Sequence, residues 1–291
     1  MENNKIKIVF IGTPEFGAVI LEKLCQANMA PILVITEIDK PVGRKQIITS
    51  SPVKIMAESY KIPVLQPEKI INSALEIKNF SPKLIVVASY GQILPKEILD
   101  IPKYGSLNVH PSLLPKYRGP SPIQSAILKG EIKTGVTIML VDEQMDHGPI
   151  LAQKQTTIGL NETAKQLHDR LAILGAEVLI DTIPDWLAGR IKARLQDGKK
   201  ATYTKILIRE AGLIDWQKSP QEIERQIRAF NPWPGTYAMH KGKRIKILQA
   251  RLENGKLIIE RVQPEGKKPM NLKEFLRGNP DSPLKHYVNT H

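Results

Sequence analysis

Short apolar runs alternate with amphipathic stretches through the first half of the chain. Runs rich in β-branched residues predict buried strands, and apolar residues spaced three or four apart predict helices that cover them. The predicted strands are Ile6–Ile11, Ile32–Thr36, Leu84–Ser89, Leu107–His110, Gly135–Val141 and Ile150–Thr156, and the predicted helices are Gly17–Cys25, Pro52–Tyr60 and Thr163–Asp181. This order of elements predicts an α/β fold with parallel strands between layers of helices.

Two features modify this prediction near the middle of the chain. The strands Gly135–Val141 and Ile150–Thr156 are separated by an acidic, glycine-containing turn, which predicts a hairpin and therefore a mixed sheet. The helix that follows is expected to be capped by Asn161 or Thr163, and Pro184 is expected to end or bend it.

The character of the sequence changes after Gly189. The stretch Gly189–Tyr203 is polar and basic, and it predicts a linker. After it come a helical segment, Pro220–Phe230, a rigid Pro-rich turn, Asn231–Gly235, and alternating strands at Ile245–Leu248 and Lys256–Val262. We therefore predict a first domain at 1–189, a linker at 190–206 and a small β-rich domain at 207–291.

The charge of the chain is unevenly divided. Of its 291 residues, 1–190 contain 21 Lys and Arg against 19 Asp and Glu, whereas 191–291 contain 21 against 10. A basic segment of this size favours contact with phosphates or another acidic surface. A basic surface that only keeps the protein in solution is the alternative.

Composition excludes several classes of protein. A hydrophobic fraction of 42% and a charged fraction of 24% are typical of a folded globular chain. No apolar run is long enough to span a membrane, and no signal peptide is recognisable, so a cytoplasmic protein is expected. The single cysteine, Cys25, excludes an internal disulfide and is expected to pack within a helix.

The loop Gly12–Gly17 connects the first strand to the first helix. Backbone N–H groups at such a junction can receive an anion, but the glycine spacing does not match a dinucleotide-binding fingerprint. A tight turn with close packing at Gly17 explains the loop equally well.

Candidate chemistry is concentrated at Asn108, His110 and Asp146. Alternation along a strand places Asn108 and His110 on one face, at the open end of the sheet, and Asp146 in the later hairpin turn could reach the same crevice. An amide, an imidazole and a carboxylate together suit acyl transfer by direct attack of an amine. A structural histidine, or metal ligation by His110, His147 and Asp146, are the alternatives, although no metal-binding motif is present.

The residues 108–119, with Asn108, His110 and the run Ser-Leu-Leu-Pro-Lys-Tyr-Arg-Gly, together with Asp146, resemble the signature of formyltransferases that use 10-formyltetrahydrofolate. Further matches look like the branch of this family that acts on methionyl initiator tRNA. They include Gly12–Phe16, Asp39–Pro41, Gly43–Arg44, Ser51–Lys54, Pro122–Gln124, Gly135–Met139, Arg228–Gly235 and Gly266–Met270.

The resemblance implies a Rossmann-like formyltransferase domain with a mixed, mostly parallel sheet, followed by a small OB-like β-barrel. It also implies that the methionine amine attacks the formyl carbon, while Asn108 and His110 stabilise the oxyanion and Asp146 supports proton transfer. Folate would be bound by Ser112, Leu113, Leu114, Pro115, Tyr90, Gly91, Gln92, Ile93, Leu94, Val141 and Asp142, and tRNA by Lys40, Arg44, Lys45, Lys205, Arg209, Lys243 and Arg244. By the same resemblance the Leu114–Pro115 bond is expected to be cis.

The sequence departs from the family at two places. Pro120-Ser121 stands where relatives often have two small residues, and the C-terminal third is short, so a reduced or partly open barrel is expected. A sugar-nucleotide N-formyltransferase, a glycinamide ribonucleotide formyltransferase and a catalytically silent RNA-binding protein are the alternatives. We expect no metal and a monomer.

Overall fold

The computed structural model describes residues 6–43 and 46–288. Elements are numbered in chain order. The strands are β1 (Ile8–Gly12), β2 (Leu33–Ile35), β3 (Lys40–Val42), β4 (Ile47–Thr49), β5 (Val64–Leu65), β6 (Leu84–Ala88), β7 (Ser106–His110), β8 (Lys133–Leu140), β9 (Ile150–Thr157), β10 (Thr236–His240), β11 (Lys243–Glu253), β12 (Lys256–Pro264) and β13 (Met270–Asn271). The α-helices are α1 (Glu15–Gln26), α2 (Pro52–Ser59), α3 (Ala74–Phe80), α4 (Lys96–Leu99), α5 (Pro122–Leu128), α6 (Ala164–Leu187), α7 (Pro220–Ala229) and α8 (Leu272–Arg277).

Seven strands form the main sheet, in the order β5-β2-β1-β6-β7-β8-β9. The pairs β2·β5, β1·β2, β1·β6 and β6·β7 are parallel, whereas β7 and β8 are antiparallel. The expectation of a mixed, mostly parallel sheet is confirmed. The sequential strands β8 and β9 are neighbours, as the predicted hairpin requires.

The central strands are buried along their whole length. Every residue of β1 and β6 is buried, which agrees with their uninterrupted apolar runs. One face of these strands, with Val9, Ile11, Ile85 and Val87, packs in a cluster with the Leu33–Ile35 strand. The carboxyl ends of β6 and β7 therefore have a rigid support.

Pro184 does not end helix α6, which continues to Leu187. Of the end or bend expected at this proline, the end is wrong, and the bend stays a prediction. Proline lacks the N–H that would bond back to the preceding turn and crowds that turn, but the Pro184 carbonyl still accepts from the Ala188 N–H. At the start of α6, Thr163 Oγ1 accepts from the Gln166 N–H, as a capping residue does.

The chain divides into two compact units that are not contiguous in sequence. The first contains residues 1–119, 134–156 and 168–203, and the second contains 120–133, 157–167 and 204–291. Residues of the predicted linker form backbone hydrogen bonds with other parts of the first unit. The Ile150 N–H donates to Arg194 O, and the Arg118 N–H donates to Thr202 O. The domain boundaries inferred from sequence stay a prediction.

The second unit contains a four-stranded antiparallel sheet in the order β10-β11-β12-β13. Helix α7 begins with a capping box formed by Ser219 and Glu222, and its residues Ile223 and Ile227 enter the core of this unit. OB folds have five strands. The small sheet therefore agrees with the reduced barrel expected from the short C-terminal third.

None of the helices in the described part of the chain is both long and apolar enough to cross a bilayer.

Gly17 offers a test of the packing between the first loop and the sheet. A β-carbon at Gly17 would lie 2.8 Å from the Ala88 carbonyl oxygen and 3.1 Å from Val53 Cγ2. Helix propensity alone would make Gly17→Ala stabilising by about 1 kcal/mol. The carbonyl cannot yield, so we expect Gly17→Ala to lower the free energy of unfolding by about 1–3 kcal/mol, as overpacking does.

The measurement is chemical denaturation. Gly198→Ala is the control, because nothing lies within 4 Å of a β-carbon there. A Gly17→Ala protein as stable as the wild type would show that the turn relaxes at little cost.

Candidate active site

Strand β7 places Asn108 and His110 on one face of the sheet. Val109 points to the opposite face, where it is buried against Gly175 of α6; a β-carbon at Gly175 would lie 2.7 Å from Val109 Cγ1. Burial of Val109 therefore fixes the direction of its two polar neighbours, as alternation predicts.

The Asp146 carboxylate lies between these side chains. Its Oδ1 accepts a hydrogen bond from Asn108 Nδ2 at 3.3 Å and lies 3.6 Å from His110 Nδ1. Its Oδ2 accepts from the Gly119 N–H at 2.7 Å. The three residues singled out in the sequence are thus brought together, with the His110 side chain 5% exposed and that of Asp146 16% exposed.

Both ring nitrogens of His110 face an oxygen atom. Its Nε2 lies 2.9 Å from the Tyr117 carbonyl oxygen. A carbonyl only accepts, so this nitrogen carries a hydrogen in the observed arrangement. The other ring nitrogen, Nδ1, faces Asp146 Oδ1 at 3.6 Å.

The turn that follows β7 is built from internal hydrogen bonds. Ser112 is completely buried, and its Oγ donates to Lys116 O at 2.6 Å. Thr137 Oγ1 donates to Ser112 O and accepts from the Leu114 N–H.

Leu114 packs with Met139 and Ile150, and the Leu114–Pro115 bond is cis, as expected. Leu113 lies against Gly135.

The other predicted folate residues lie in the loop after β6, which contains Tyr90–Leu94, and directly after β8, where Val141 and Asp142 follow Leu140. Tyr90, Leu94 and Val141 belong to one apolar cluster, whereas Ile93 is 67% exposed. Gln92 binds backbone groups of the neighbouring loop, accepting from the Ile70 N–H and donating to Glu68 O. Gly91 approaches Glu37 so closely that a side chain there would collide with the carboxylate.

Tyr90 has an unusual environment. Its hydroxyl is buried and finds no hydrogen-bond partner among the residues that the structure describes. Burial, with a smaller contribution from the Glu37 charge, raises its pKa to about 12. Buried hydroxyls without a partner are uncommon in proteins, so the Tyr90 hydroxyl is a candidate contact for a polar group of a ligand.

Asp142 is engaged with His147. The His147 Nδ1 lies 2.7 Å from Asp142 Oδ2, and Asp142 Oδ1 accepts from the Gln144 N–H. His147 is therefore paired away from the His110 and Asp146 pair, which disfavours the metal-site alternative. In the described part of the chain, no three His, Cys, Asp or Glu side chains gather as a metal site.

The basic residues predicted to bind tRNA fall on two separate units. Lys40 lies on the two-stranded β3·β4 hairpin and pairs with Glu37, whereas Arg44 and Lys45 lie outside the described residues.

In the second unit, Lys205, Arg209 and Lys243 are exposed. The Arg244 guanidinium stacks 4.6 Å from the centre of the Tyr237 ring. The Arg209–Gly212 turn leads into Leu213, which bridges to Tyr237 on β10.

Gln196 is a site residue that the sequence analysis missed. Its amide binds Arg118 and the backbone carbonyls of Asp146 and Gly148. It belongs to a segment that has no apolar period and no motif, so no local signal marks it.

Asp39 anchors the base of the β3·β4 hairpin. Its Oδ2 accepts from Lys54 Nζ at 2.6 Å and from Ser50 Oγ at 3.2 Å, and its Oδ1 accepts from Gln66 Nε2 at 2.8 Å. The hydrogen bond from Lys54, followed by that from Gln66, lowers the pKa of the Asp39 carboxyl below its ordinary value. The hairpin is thus tied to α2 and to the segment after β5.

Comparison with known proteins gives one consistent result. The sequence profile described as "Formyl transferase" matches residues 5–183, and that described as "Formyl transferase, C-terminal domain" matches residues 206–257. The methionyl-tRNA formyltransferase of Geotalea uraniireducens (strain Rf4) is 41% identical over 297 residues, which cover 94% of this chain and 95% of that protein.

Two solved structures share the fold. The sugar 3N-formyl transferase WlaRD, solved with dTDP and 5-N-formyl-THF, has a TM-score of 0.66 and 21% identity, covering 91% of this chain and 100% of its own. The methionyl-tRNA formyltransferase from Clostridium thermocellum has a TM-score of 0.59 and 20% identity, covering 89% of this chain and 98% of its own.

The Asp39 anchor gives a prediction about pH. The pKa of Asp39 is lower in the folded protein than its ordinary value of 3.8, so the ionised carboxylate stabilises the folded state. This stabilisation is fully present above pH 3.8 and is lost as the pH falls through the lower pKa of the folded state. In an NMR titration, the Asp39 carboxyl carbon should titrate below 3.8. In Lys54→Met the midpoint should rise, since the strongest donor is removed. Equal midpoints in the two proteins would show that Lys54 does not hold this carboxylate in solution.

Proposed function

The chain belongs to the formyl transferase family, and from that premise we propose that it transfers the formyl group of 10-formyltetrahydrofolate to the α-amine of methionyl initiator tRNA. The observation that carries the proposal is the grouping of Asn108, His110 and Asp146 at the end of β7. The relative named methionyl-tRNA formyltransferase, similar across 94% of the chain, supports the choice of acceptor.

The reaction needs a nucleophile, an oxyanion site and a path for one proton. The neutral amine attacks the formyl carbon, and the tetrahedral intermediate collapses as the bond from carbon to N10 of the folate breaks. The amine loses a proton, and N10 gains one. An amide nitrogen carries two hydrogens: one of those on Asn108 Nδ2 is directed at Asp146, and we assign the other to the oxyanion.

His110 and Asp146 have different roles in this proposal. His110 donates its Nε2 hydrogen to the oxyanion, in exchange for its bond to Tyr117 O. Asp146, oriented by Asn108 and the Gly119 N–H, accepts the proton of the attacking amine directly or through water. A carboxylate that is already oriented needs little rearrangement when the amine arrives.

The folate is assigned to the region between the loop after β6 and the start of the β8–β9 connection. Tyr90, Leu94 and Val141 provide an apolar wall for a flat ring, and the unpartnered Tyr90 hydroxyl supplies a polar contact. Leu113 and Pro115 border the same region from the turn after β7. Ser112 and Leu114 support that turn from within the core, since both are buried.

The tRNA is assigned to the basic surfaces of both units. Lys205, Arg209, Lys243 and Arg244 are exposed and lie in the part of the chain that holds most of the excess positive charge. Such residues neutralise phosphates and hold the polyanion. Lys40, together with Arg44 and Lys45, is assigned to the acceptor end of the tRNA. A cytoplasmic monomer that needs no metal belongs to the same proposal.

The sugar-nucleotide alternative has weaker support. The likeness to a sugar N-formyl transferase shows the fold alone, because the identity is 21%. A small anionic sugar nucleotide also gives no reason for the basic C-terminal third.

A comparison of acceptors tests the proposal. With 10-formyltetrahydrofolate as donor, we expect the purified protein to formylate methionyl initiator tRNA far faster than a UDP-amino sugar or glycinamide ribonucleotide. Formyl transfer can be followed with a radioactive formyl group. Preference for either small acceptor would overturn the assignment of tRNA.

The three site residues give a further prediction, about turnover. Asn108→Ala, His110→Ala and Asp146→Asn should each lower kcat by about a hundredfold or more, because the loss of one oxyanion donor costs about 3 kcal/mol. Affinity for tRNA should be retained, since none of the three supplies the basic surface. His286→Ala and Asp100→Asn, at exposed positions, are matched controls. Any of the three variants that turns over at the wild-type rate has no part in the chemistry.

A further inference from the structure

The side-chain amide of Gln196 uses all of its hydrogen-bonding capacity inside the first unit. Its Oε1 accepts from Arg118 Nε at 3.1 Å and from Arg118 Nη2 at 2.8 Å. Its Nε2 donates to Asp146 O at 2.9 Å and to Gly148 O at 2.8 Å. An amide has two acceptor and two donor positions, so these four bonds leave it a single orientation.

These contacts join the two segments that meet at the Asp146 carboxylate. Arg118 precedes Gly119, whose N–H binds Asp146 Oδ2. Gln196 links the Arg118 side chain to the backbone of Asp146 itself. Gly119 therefore binds the carboxylate of Asp146, and Gln196 binds its carbonyl. Gln196 is in turn bound by Arg118, the residue directly before Gly119.

Arg118 is a firm attachment point. It is 2% exposed, its Nη1 donates to Tyr203 Oη at 3.2 Å, and its guanidinium lies 5.8 Å from the centre of the Tyr203 ring. Its backbone N–H donates to Thr202 O. The segment that carries Gln196 thus contacts Arg118 at three of its residues, Gln196, Thr202 and Tyr203.

The backbone of Asp146 needs such support. Its φ is +48°, a conformation that residues other than glycine adopt at an energetic cost. Two residues later, Gly148 approaches Leu140 O so closely that no side chain would fit. The path of this turn is constrained, and the donors on Gln196 satisfy carbonyls on both sides of His147.

We infer that Gln196 is a positioning residue that sets the direction of the Asp146 carboxylate toward Asn108 and His110. The inference rests on the proposed function, because it assigns Gln196 a part in formyl transfer. Gln196 acts through Asp146 and is not assigned any contact with substrate.

Kinetics of single variants give the first test. Gln196→Ala should lower kcat about tenfold to a hundredfold, because a misplacement of about 1 Å has an effect of this size. The KM values for folate and for tRNA should stay within about twofold, since the amide lies on neither assigned surface. Leu195→Ala is the matched control, because that neighbouring side chain is 86% exposed. A drop in melting temperature without the kcat effect would contradict the inference.

Gln196→Glu separates the two halves of the amide. A carboxylate keeps the acceptors for Arg118 but has no donor for Asp146 O and Gly148 O. We expect Gln196→Glu to lose as much activity as Gln196→Ala. A Gln196→Glu protein with the wild-type kcat would overturn the inference, because the donors would then be unnecessary.

The decisive comparison uses the Asp146→Asn background. If Gln196 acts through the Asp146 carboxylate, adding Gln196→Ala to Asp146→Asn should lower kcat by less than about twofold more. Equal losses in the two backgrounds would mean that Gln196 only supports the fold, and the inference would be wrong.

Amide exchange separates this inference from the proposed function. In ¹⁵N-labelled protein without substrate, Gln196→Ala should accelerate exchange of the Gly119 N–H, while amides of β1 and β6 exchange as in the wild type. Unchanged exchange at Gly119 would overturn the positioning role. Failure of the wild-type protein to formylate any acceptor would instead overturn the proposed function, and the Gly119 result would still decide whether Gln196 holds Asp146.

Discussion

The Asp146 carboxylate is a mostly buried charge, and a buried charge is tolerated only when donors surround it. Its partners come from distant parts of the chain: Asn108 from the end of β7 and the Gly119 N–H from the turn that follows. The His110 ring adds a third polar group beside it. The turn after β7 must therefore double back over the strand, and the hydrogen bond between His110 and the Tyr117 carbonyl closes it.

The rigid part of the structure makes this arrangement possible. β6 is buried along its length and pairs in parallel with β7, so the carboxyl ends of the two strands lie side by side. Gly12 and Gly17 both approach the Ala88 carbonyl at the end of β6, which leaves no space for a side chain at either glycine. The polar loops are consequently attached to closely packed strands.

The second unit has its own core and a different surface. Ile223 and Ile227 of α7 pack with Ile245 and Ile247 of β11, which turns the intervening Lys246 and the preceding Arg244 outward. Alternation along β11 therefore places the apolar core and the basic surface on opposite faces of one strand. This is the physical basis for assigning the polyanionic substrate partly to this unit.

The sequence alone was sufficient for the strands β1, β2, β6–β9, β11 and β12, for the face shared by Asn108 and His110, and for the pairing of these residues with Asp146, whereas β3, β4, β5, β10 and β13 were not predicted. Apolar runs and strand alternation are local signals, and the motif after β7 is contiguous. The continuation of α6 past Pro184 could not be read in this way, because it depends on what the rest of the helix packs against. Only the tertiary structure decided the direction of the Tyr117 carbonyl. The same is true of the hydrogen bonds that Gln196 makes to Arg118 and Asp146. A hydrogen bond between residues fifty or more positions apart leaves no pattern along the chain, since it forms only after the sheet has brought the two segments within about 3 Å.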